Sequence, residues 1–169
     1  ELAEIRRLLD TMPSTPPRLQ DIWRAMDLVW DELGCDNKDL AFDALERFYN
    51  HPVWILNGLF IEQHALSRDH RRAVAACVRE RDIRRVLDYG GGFGTLARLL
   101  ARRGPTWTID VYEPFPSAAA EAKATPYPNI CFTQSVGQDY DCVIAMDVLE
   151  HVPDPLGLLG DLVGAVRHG

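Results

Sequence analysis

The stretch that decides the fold is VLDYGGGFG at residues 86–94, which TLARLLARRG follows at residues 95–104. An apolar run ends in an acid and a cluster of glycines, and a run of helix formers comes next. This order predicts a buried strand, a sharp turn and a helix, because glycine allows the backbone to turn and a ligand to approach the main chain. The first turn of the helix presents unpaired N–H groups that attract an anionic group. We therefore expect a ligand-binding loop formed by Asp88, Gly90, Gly91, Gly92 and Gly94.

The spacing of these glycines distinguishes the loop from the dinucleotide-binding fingerprint G-x-G-x-x-G. Counted from Gly90, the third glycine of that fingerprint is due at position 95, where the sequence has Thr95. The glycine comes one residue early, at Gly94, and the sequence also lacks a Y-x-x-x-K pair. A nicotinamide-dependent oxidoreductase is therefore the weaker alternative.

Strands and helices alternate around this loop, which predicts an α/β protein with a parallel sheet. The expected strands are residues 84–89, 106–114, 129–134 and 139–147, and the expected helices are 95–104, 117–124 and 155–167. Only Ser135–Gln138 joins the third strand to the fourth, which is shorter than the crossover that neighbouring parallel strands need. Either these two strands lie at opposite ends of the sheet, or residues are missing from the join.

The composition indicates a globular protein and excludes some partners. The chain has 169 residues and a net charge of −7, from 18 basic and 25 acidic residues. This balance argues against nucleic acid, which basic clusters bind, and no apolar run approaches the roughly 20 residues of a membrane span. Four cysteines form no C-x-x-C pair, so we expect no metal site and no disulfides, but reduced and mostly buried thiols in a cytoplasmic protein.

Two further groups of ionisable residues come at the ends of predicted strands. Glu113 ends the second strand, where a carboxylate can accept both hydroxyls of a ribose. The fourth strand leads into DVLEHVPDP at residues 147–155, with Asp147, Glu150 and His151 close together. Ligands of open α/β sheets bind outside the carboxyl ends of the strands, so these residues are expected near the glycine loop.

In combination, these motifs resemble the class I S-adenosylmethionine-dependent methyltransferases. VLDYGGGFG is similar to the first motif of that family, VYEP at residues 111–114 to its second-strand acid, and DCVIAMDVLEHVPDP at residues 141–155 to its fourth-strand segment. The D-x-L-E-H-V-x-D-P form looks most like small-molecule methyltransferases of the quinone-biosynthesis type. The resemblance covers about residues 70–169 and implies a Rossmann-like sheet with S-adenosylmethionine as the cofactor.

The resemblance also implies roles for single residues. Asp88 and the loop Gly90–Gly94 would hold the methionine moiety, and Glu113 would hold the ribose hydroxyls. Pro114 and Phe115 would flank the adenine. Many members of the family have an acid after the third strand for the adenine amine, but the segment 132–135 here is FTQS.

The expected reaction is methyl transfer to an oxygen or nitrogen nucleophile of a small-molecule acceptor. Asp147 would line the space between sulfonium and acceptor, and His151 is the candidate general base, because imidazole changes its protonation near neutral pH. Binding a metal and simple packing are the other roles open to His151. A nucleotide-binding protein without methyl transfer is the non-enzymatic alternative.

The change from helices alone to alternating strands and helices divides the chain into two parts, and the resemblance does not cover the first of them. Residues 1–65 would be an all-helical cap over the acceptor side, with helices at 1–9, 19–33, 37–50 and 51–64. Residues 66–169 would be the S-adenosylmethionine-binding domain, which begins with a helix from Ser67 to Arg81. The stripe at 19–33 is expected to bury Trp23 and Trp30. The family's sheet has more strands than these motifs supply, so we expect the chain to continue, or another chain or an oligomer to provide the rest.

Overall fold

The computed structural model describes residues 1–38, 41–79 and 83–167, and the chain divides into two units, Glu1–His64 and Ala65–Gly169. The first unit is built from helices α1 (Leu2–Asp10), α2 (Leu19–Glu32), α3 (Phe42–Tyr49) and α4 (Val53–Gln63). Their apolar stripes meet in one core, formed by Leu8, Ala25, Val29, Phe48, Val53 and Leu56. The role of this unit as a cap stays a prediction.

Two expectations for the first unit are wrong. The third helix begins at Phe42 and not at residue 37, because the Asp36 carboxylate accepts the Lys38 N–H at 2.9 Å and forms a turn. Residues 39 and 40 of the predicted helix lie outside the described residues. Trp23 is 55% exposed, whereas Trp30 is half-buried and packs edge-to-face on Phe48 with ring centroids 5.0 Å apart.

The second unit alternates strands and helices as predicted. Its elements are α5 (Ala65–Arg79), β1 (Arg85–Tyr89), α6 (Thr95–Arg103), β2 (Thr108–Tyr112), α7 (Ala118–Ala124), β3 (Ile130–Thr133), β4 (Cys142–Ala145) and α8 (Pro155–Gly164). The helix α5 starts two residues before Ser67, so Ser67 is not its N-cap, and the expected end at Arg81 lies outside the described residues. Among the described residues, no helix is both long and apolar enough to cross a bilayer.

All described pairs in the sheet are parallel, and the strand order is β3-β2-β1-β4. This architecture confirms the predicted Rossmann-like α/β fold. The strands β3 and β4 lie at opposite ends of the sheet, which is the first of the two explanations for their short join. The strand β1 is central, so the glycine loop leaves the middle of the sheet.

The two faces of the sheet are covered by different helices. Alternating residues of the strands, Val86, Ile109, Val111 and Ile144, form one core with α5 and α6. The opposite face packs Leu87 against Leu162 and Ala165 at the end of the chain, together with the fully buried Tyr140. Strand alternation therefore puts Asp88 on the α6 side, and Tyr89 and Tyr112 on the α8 side.

The helix α8 is shorter than predicted, and the face that it buries differs from the face that its sequence predicts. Leu162 is its buried residue, and Leu158 packs beside it. The helical spacing of Leu156, Leu159, Leu162, Val163 and Val166 in the sequence predicts that these residues face inward. Leu156, Leu159 and Val163 are instead 79%, 46% and 57% exposed, because they lie on the other side of the helix. The cysteines are also less buried than expected, since Cys77 and Cys131 are exposed and Cys35 and Cys142 are half-buried.

Candidate active site

The glycine loop connects β1 to α6 through three residues with positive φ. Gly90, Gly92 and Gly94 have φ values of 67°, 51° and 66°, in the left-handed region that glycine adopts without strain. The Gly90 N–H donates to the Tyr112 carbonyl at 2.8 Å, and the Gly94 N–H donates to the Gly91 carbonyl at 2.9 Å. The loop is thereby fixed to the end of β2 and closed on itself before α6 begins.

The glycines of the loop serve different purposes, as the space beside each Cα indicates. A Cβ at Gly90 would lie 2.6 Å from Val148 Cγ2, and one at Gly91 would lie 2.7 Å from a valine methyl of β2. Both distances are too short for a real contact, so these positions need glycine for packing. At Gly92 the nearest atom to such a Cβ is Glu113 Oε2 at 3.9 Å. The open space of the loop therefore lies beside Gly92 and Glu113.

Asp88 is buried beneath the loop, and one of its carboxylate oxygens is unused. Asp88 is 3% exposed, the Ala97 N–H donates to it, and Oδ2 has no hydrogen-bond partner in the part of the chain that the structure describes. Burial raises the pKa of Asp88 to about 7, against the lowering influence of the Arg71 guanidinium and the Ala97 N–H. Leaving a buried acceptor unpaired costs free energy, so this site is suited to a donor from outside the protein.

Arg71 on α5 is a residue of the site that sequence reasoning missed. Its positive charge acts on Asp88 and lowers the pKa of that carboxyl, and its guanidinium donates to the Ser67 carbonyl at 3.3 Å. The helical period contained a signal, because Arg71 falls one and two turns before the buried Ala75 and Val78. An arginine on the apolar side of a helix is unusual, and the charge of Arg71 is near enough to Asp88 to act on its pKa.

The Glu113 carboxylate borders the open space beside Gly92. Its Oε2 accepts the Gly92 N–H at 2.9 Å, and its Oε1 accepts the Phe115 N–H at 3.4 Å. Burial raises the pKa of Glu113, and these two N–H groups act against the rise. Each oxygen keeps a further lone pair, so the carboxylate can accept additional hydrogen bonds from a ligand.

The turn after β4 reaches the glycine loop through Val148, which covers Gly90. Asp147 precedes it with a φ of 55°, and a 3₁₀ turn, Leu149–His151, follows. The side chains of Asp147 and His151 are exposed on this turn. Their catalytic roles stay predictions.

The segment after Glu113 and the turn after β3 follow the carboxyl ends of two neighbouring strands. Pro114 is exposed and Phe115 is half-buried. The Thr133 hydroxyl donates to the Ser135 carbonyl at 2.9 Å and accepts the Ser135 N–H at 3.2 Å, so the turn after β3 closes on itself. Contacts of Pro114 and Phe115 with an adenine stay predictions.

An unpaired buried acceptor, an open glycine turn and a carboxylate meet at the carboxyl ends of two adjacent parallel strands. This combination is typical of α/β proteins that bind a nucleoside cofactor. The chain belongs to the methyltransferase family described as "Methyltransferase domain", which matches residues 61–167. This match confirms the predicted resemblance to the S-adenosylmethionine-dependent methyltransferases.

Curated relatives and solved structures agree with this membership. The chain is 36% identical over 96 residues to the "Ubiquinone biosynthesis O-methyltransferase" of Vibrio parahaemolyticus, across 51% of this chain and 40% of that protein. It is 30% identical over 145 residues to the protein of the same name from Escherichia coli O81, across 79% of this chain and 58% of that protein. The structure of the S-adenosylmethionine-dependent methyltransferase SibL has 26% identity and a TM-score of 0.54, across 63% of this chain and 35% of that one. The chain thus spans about half the length of the curated relatives it matches.

Proposed function

We propose that this protein transfers a methyl group from S-adenosylmethionine to an oxygen nucleophile of a small molecule. The observation that carries the proposal is Oδ2 of Asp88, a buried acceptor without a hydrogen-bond partner among the described residues, which lies beside Gly91 of the glycine loop. The names of the two curated relatives, which are O-methyltransferases, support oxygen as the attacking atom. When bound, S-adenosylmethionine supplies a methyl carbon that its sulfonium activates.

The residues of the site fit both ends of this cofactor. At the methionine end, Asp88 offers an acceptor for the ammonium group, and Arg71 offers a guanidinium for the carboxylate. At the ribose end, Glu113 offers two carboxylate oxygens to the two hydroxyls. Pro114 and Phe115 are then in sequence position to flank the adenine.

The contribution of the protein to the reaction is mainly orientation. Holding both reactants in line and excluding water supplies up to roughly 7–11 kcal/mol of a barrier. Asp147 lines the acceptor side, and the imidazole of His151 accepts the proton that a hydroxyl acceptor loses. A reduced, cytoplasmic environment suits the exposed thiols of Cys77 and Cys131.

Turnover of the purified protein tests the proposal. We expect calorimetric titration to detect binding of S-adenosylmethionine and not of NADH, and S-adenosylhomocysteine to be released when catechol or a phenol is added. Preferential binding of NADH would favour the oxidoreductase. Binding of S-adenosylmethionine without any turnover over a panel of phenols and amines would favour the non-enzymatic alternative.

The role of His151 has its own test. Replacing His151 with Ala should lower turnover about 100-fold, as loss of a general base does, with the affinity for S-adenosylhomocysteine unchanged. His70→Ala, at an exposed position of α5, is the matched control. Equal turnover of the two variants would remove His151 from the mechanism.

We also propose that residues 1–65 form a cap over the acceptor side. The second unit has its own apolar core, so deletion of residues 1–65 should leave the affinity for S-adenosylhomocysteine within a few-fold. The same deletion should eliminate methyl transfer. Turnover by the shortened protein would contradict the cap.

A further inference from the structure

The carboxyl ends of β1 and β2 carry a pair of stacked tyrosines on the face of the sheet opposite Asp88. Tyr89 and Tyr112 are register partners, with ring centroids 4.6 Å apart and ring planes inclined by 20°. Both are half-buried and pack beside the apolar cluster that contains Leu87 and Leu162. The stack therefore connects the two strand ends by side chains as well as by the backbone ladder.

Each ring is one residue away from a group of the candidate site. Tyr89 precedes Gly90, and Tyr112 precedes Glu113. The same strand ends are joined by two hydrogen bonds, from the Gly90 N–H to the Tyr112 carbonyl at 2.8 Å and from the Gly92 N–H to Glu113 Oε2 at 2.9 Å. Because successive side chains of a strand point to opposite faces, the stack supports these residues from the side away from the ligand.

We infer, on the basis of the proposed function, that the Tyr89–Tyr112 stack is a positioning pair that holds Glu113 level with the glycine loop for the ribose hydroxyls. A small slide of β2 along β1 would separate Glu113 from Gly92 and would offset the two rings at the same time. Stacked aromatic rings have a preferred separation and offset, so the pair opposes this slide. The two tyrosines also share a side-chain hydrogen bond. The positioning role lies with the stacked rings, and Tyr112→Phe tests this assignment because it keeps the ring and removes the hydrogen bond.

A comparison of ligands and variants distinguishes positioning from general support of the fold. The ligands are S-adenosylhomocysteine and its 2′,3′-dideoxy form, titrated calorimetrically, and the variants are Tyr112→Leu, Tyr112→Phe and the control Tyr127→Leu. Tyr127 is a half-buried tyrosine of the same unit, and its hydroxyl accepts a hydrogen bond from Arg102 at 2.7 Å. Thermal unfolding of each variant is measured in parallel.

We expect Tyr112→Leu to weaken S-adenosylhomocysteine about 5- to 10-fold, the effect of losing one aromatic pair, and to leave the dideoxy ligand unchanged. Tyr112→Phe and Tyr127→Leu should bind both ligands as the unmodified protein does. If Tyr112→Leu does not fold, Tyr89→Leu removes the other ring and gives the same comparison.

Equal weakening of both ligands by Tyr112→Leu would overturn the inference, as would an equal effect of Tyr127→Leu. A Tyr112→Leu variant that binds S-adenosylhomocysteine normally would overturn the inference alone and leave the proposed function intact. If the unmodified protein does not bind S-adenosylhomocysteine, both are overturned.

Discussion

The two ends of the parallel sheet use buried carboxylates in opposite ways. At the amino ends, Asp141 Oδ2 accepts the N–H groups of Arg84 and Arg85 at 2.8 and 2.9 Å, and Oδ1 forms an ion pair with Arg167. These backbone N–H groups hold the pKa of Asp141 below its usual range. At the carboxyl ends, burial raises the pKa of Asp88 to about 7, and Oδ2 has no partner among the described residues. Both oxygens of Asp141 thus interact with groups of the protein, through two hydrogen bonds to Oδ2 and the ion pair at Oδ1, whereas Oδ2 of Asp88 has no hydrogen bond.

Cavity size alone would place a binding site at the amino ends of the strands instead of the carboxyl ends. A cavity of about 450 Å³ lies at the amino ends, lined by Arg84, Arg85, Asp139, Asp141 and Arg167. The cavity is lined by charges of both signs. Asp141 and Arg167 form an ion pair with each other, so both groups are less available to a ligand. Trp54 Nε1, Thr95 Oγ1 and Asp141 Oδ1 are further buried atoms without a hydrogen-bond partner among the described residues. Oδ2 of Asp88 therefore indicates the site only together with the glycine loop and the Glu113 carboxylate beside it.

The largest expected effect separates two neighbouring glycines of the loop. Gly92→Val should abolish binding of S-adenosylhomocysteine, because the branched side chain fills the open space. Its positive φ makes this variant about 1–2 kcal/mol less stable, yet folded. Gly91→Ala should cost about 1–3 kcal/mol through overpacking, because its Cβ would lie 2.7 Å from a valine methyl. Calorimetry measures the affinity of each variant for S-adenosylhomocysteine, and urea denaturation measures its free energy of unfolding. Normal binding by Gly92→Val would show that the loop has only a structural role.

The opposite pKa shifts of the two aspartates predict opposite responses of stability to pH. The ordinary pKa of Asp is about 3.9, so between about pH 4 and pH 7 the unfolded chain loses a proton that folded Asp88 keeps, and the free energy of unfolding falls as pH rises. Asp88→Asn should remove this fall, with a change of about 4 kcal/mol relative to the unmodified protein between pH 4 and pH 8.

Asp141→Asn should act in the reverse sense. The folded pKa of Asp141 is lowered, so its stabilisation is present above the unfolded pKa and is lost as pH falls through the folded one. Urea denaturation at a series of pH values compares the two variants. The same pH dependence in both would contradict the contrast between the two ends of the sheet.

Removal of the Glu113 carboxylate should affect the ligand more than the fold. Glu113→Ala is expected to weaken S-adenosylhomocysteine by about 1.5–3 kcal/mol, the range for hydrogen bonds to a charged group. Glu121→Ala, at an exposed position of α7, is the control. Unchanged affinity in Glu113→Ala would exclude this carboxylate from the site.

The smallest expected effect concerns two aspartates with left-handed backbone. Asp139 and Asp147 have φ values of 63° and 55°, the first near the amino ends and the second at the carboxyl ends. Glycine at either position should stabilise the protein by about 0.5 kcal/mol. Only Asp147→Gly should also lower methyl transfer. Equal turnover of both variants would remove Asp147 from the acceptor side.

The sequence was sufficient for the parts of the site that depend on local rules. The glycine loop and the acid at the end of β2 follow from turn chemistry and strand ends, and both lie where these rules put them. Arg71 was missed because the carboxyl on which its charge acts, that of Asp88, is in another element, and no local pattern connects α5 to Asp88. The predicted inward face of α8 was wrong for a similar reason. Packing against the sheet buries Leu158 and Leu162, and the sequence of the helix alone does not indicate which of its apolar residues make this contact.

The direct join from β3 to β4 has a consequence for engineering. Nine residue steps separate Thr133 from Cys142 and reach at most about 30 Å, while crossing three strand spacings alone requires roughly 14 Å. The Tyr140 hydroxyl also tethers this segment to Asp110 at 2.9 Å. Deletions here would pull an edge strand out of the sheet, whereas added residues would only slacken the segment. The peptide bond between the exposed Gln138 and Asp139 is therefore the place to insert a reporter tag, at the end of the sheet remote from the glycine loop.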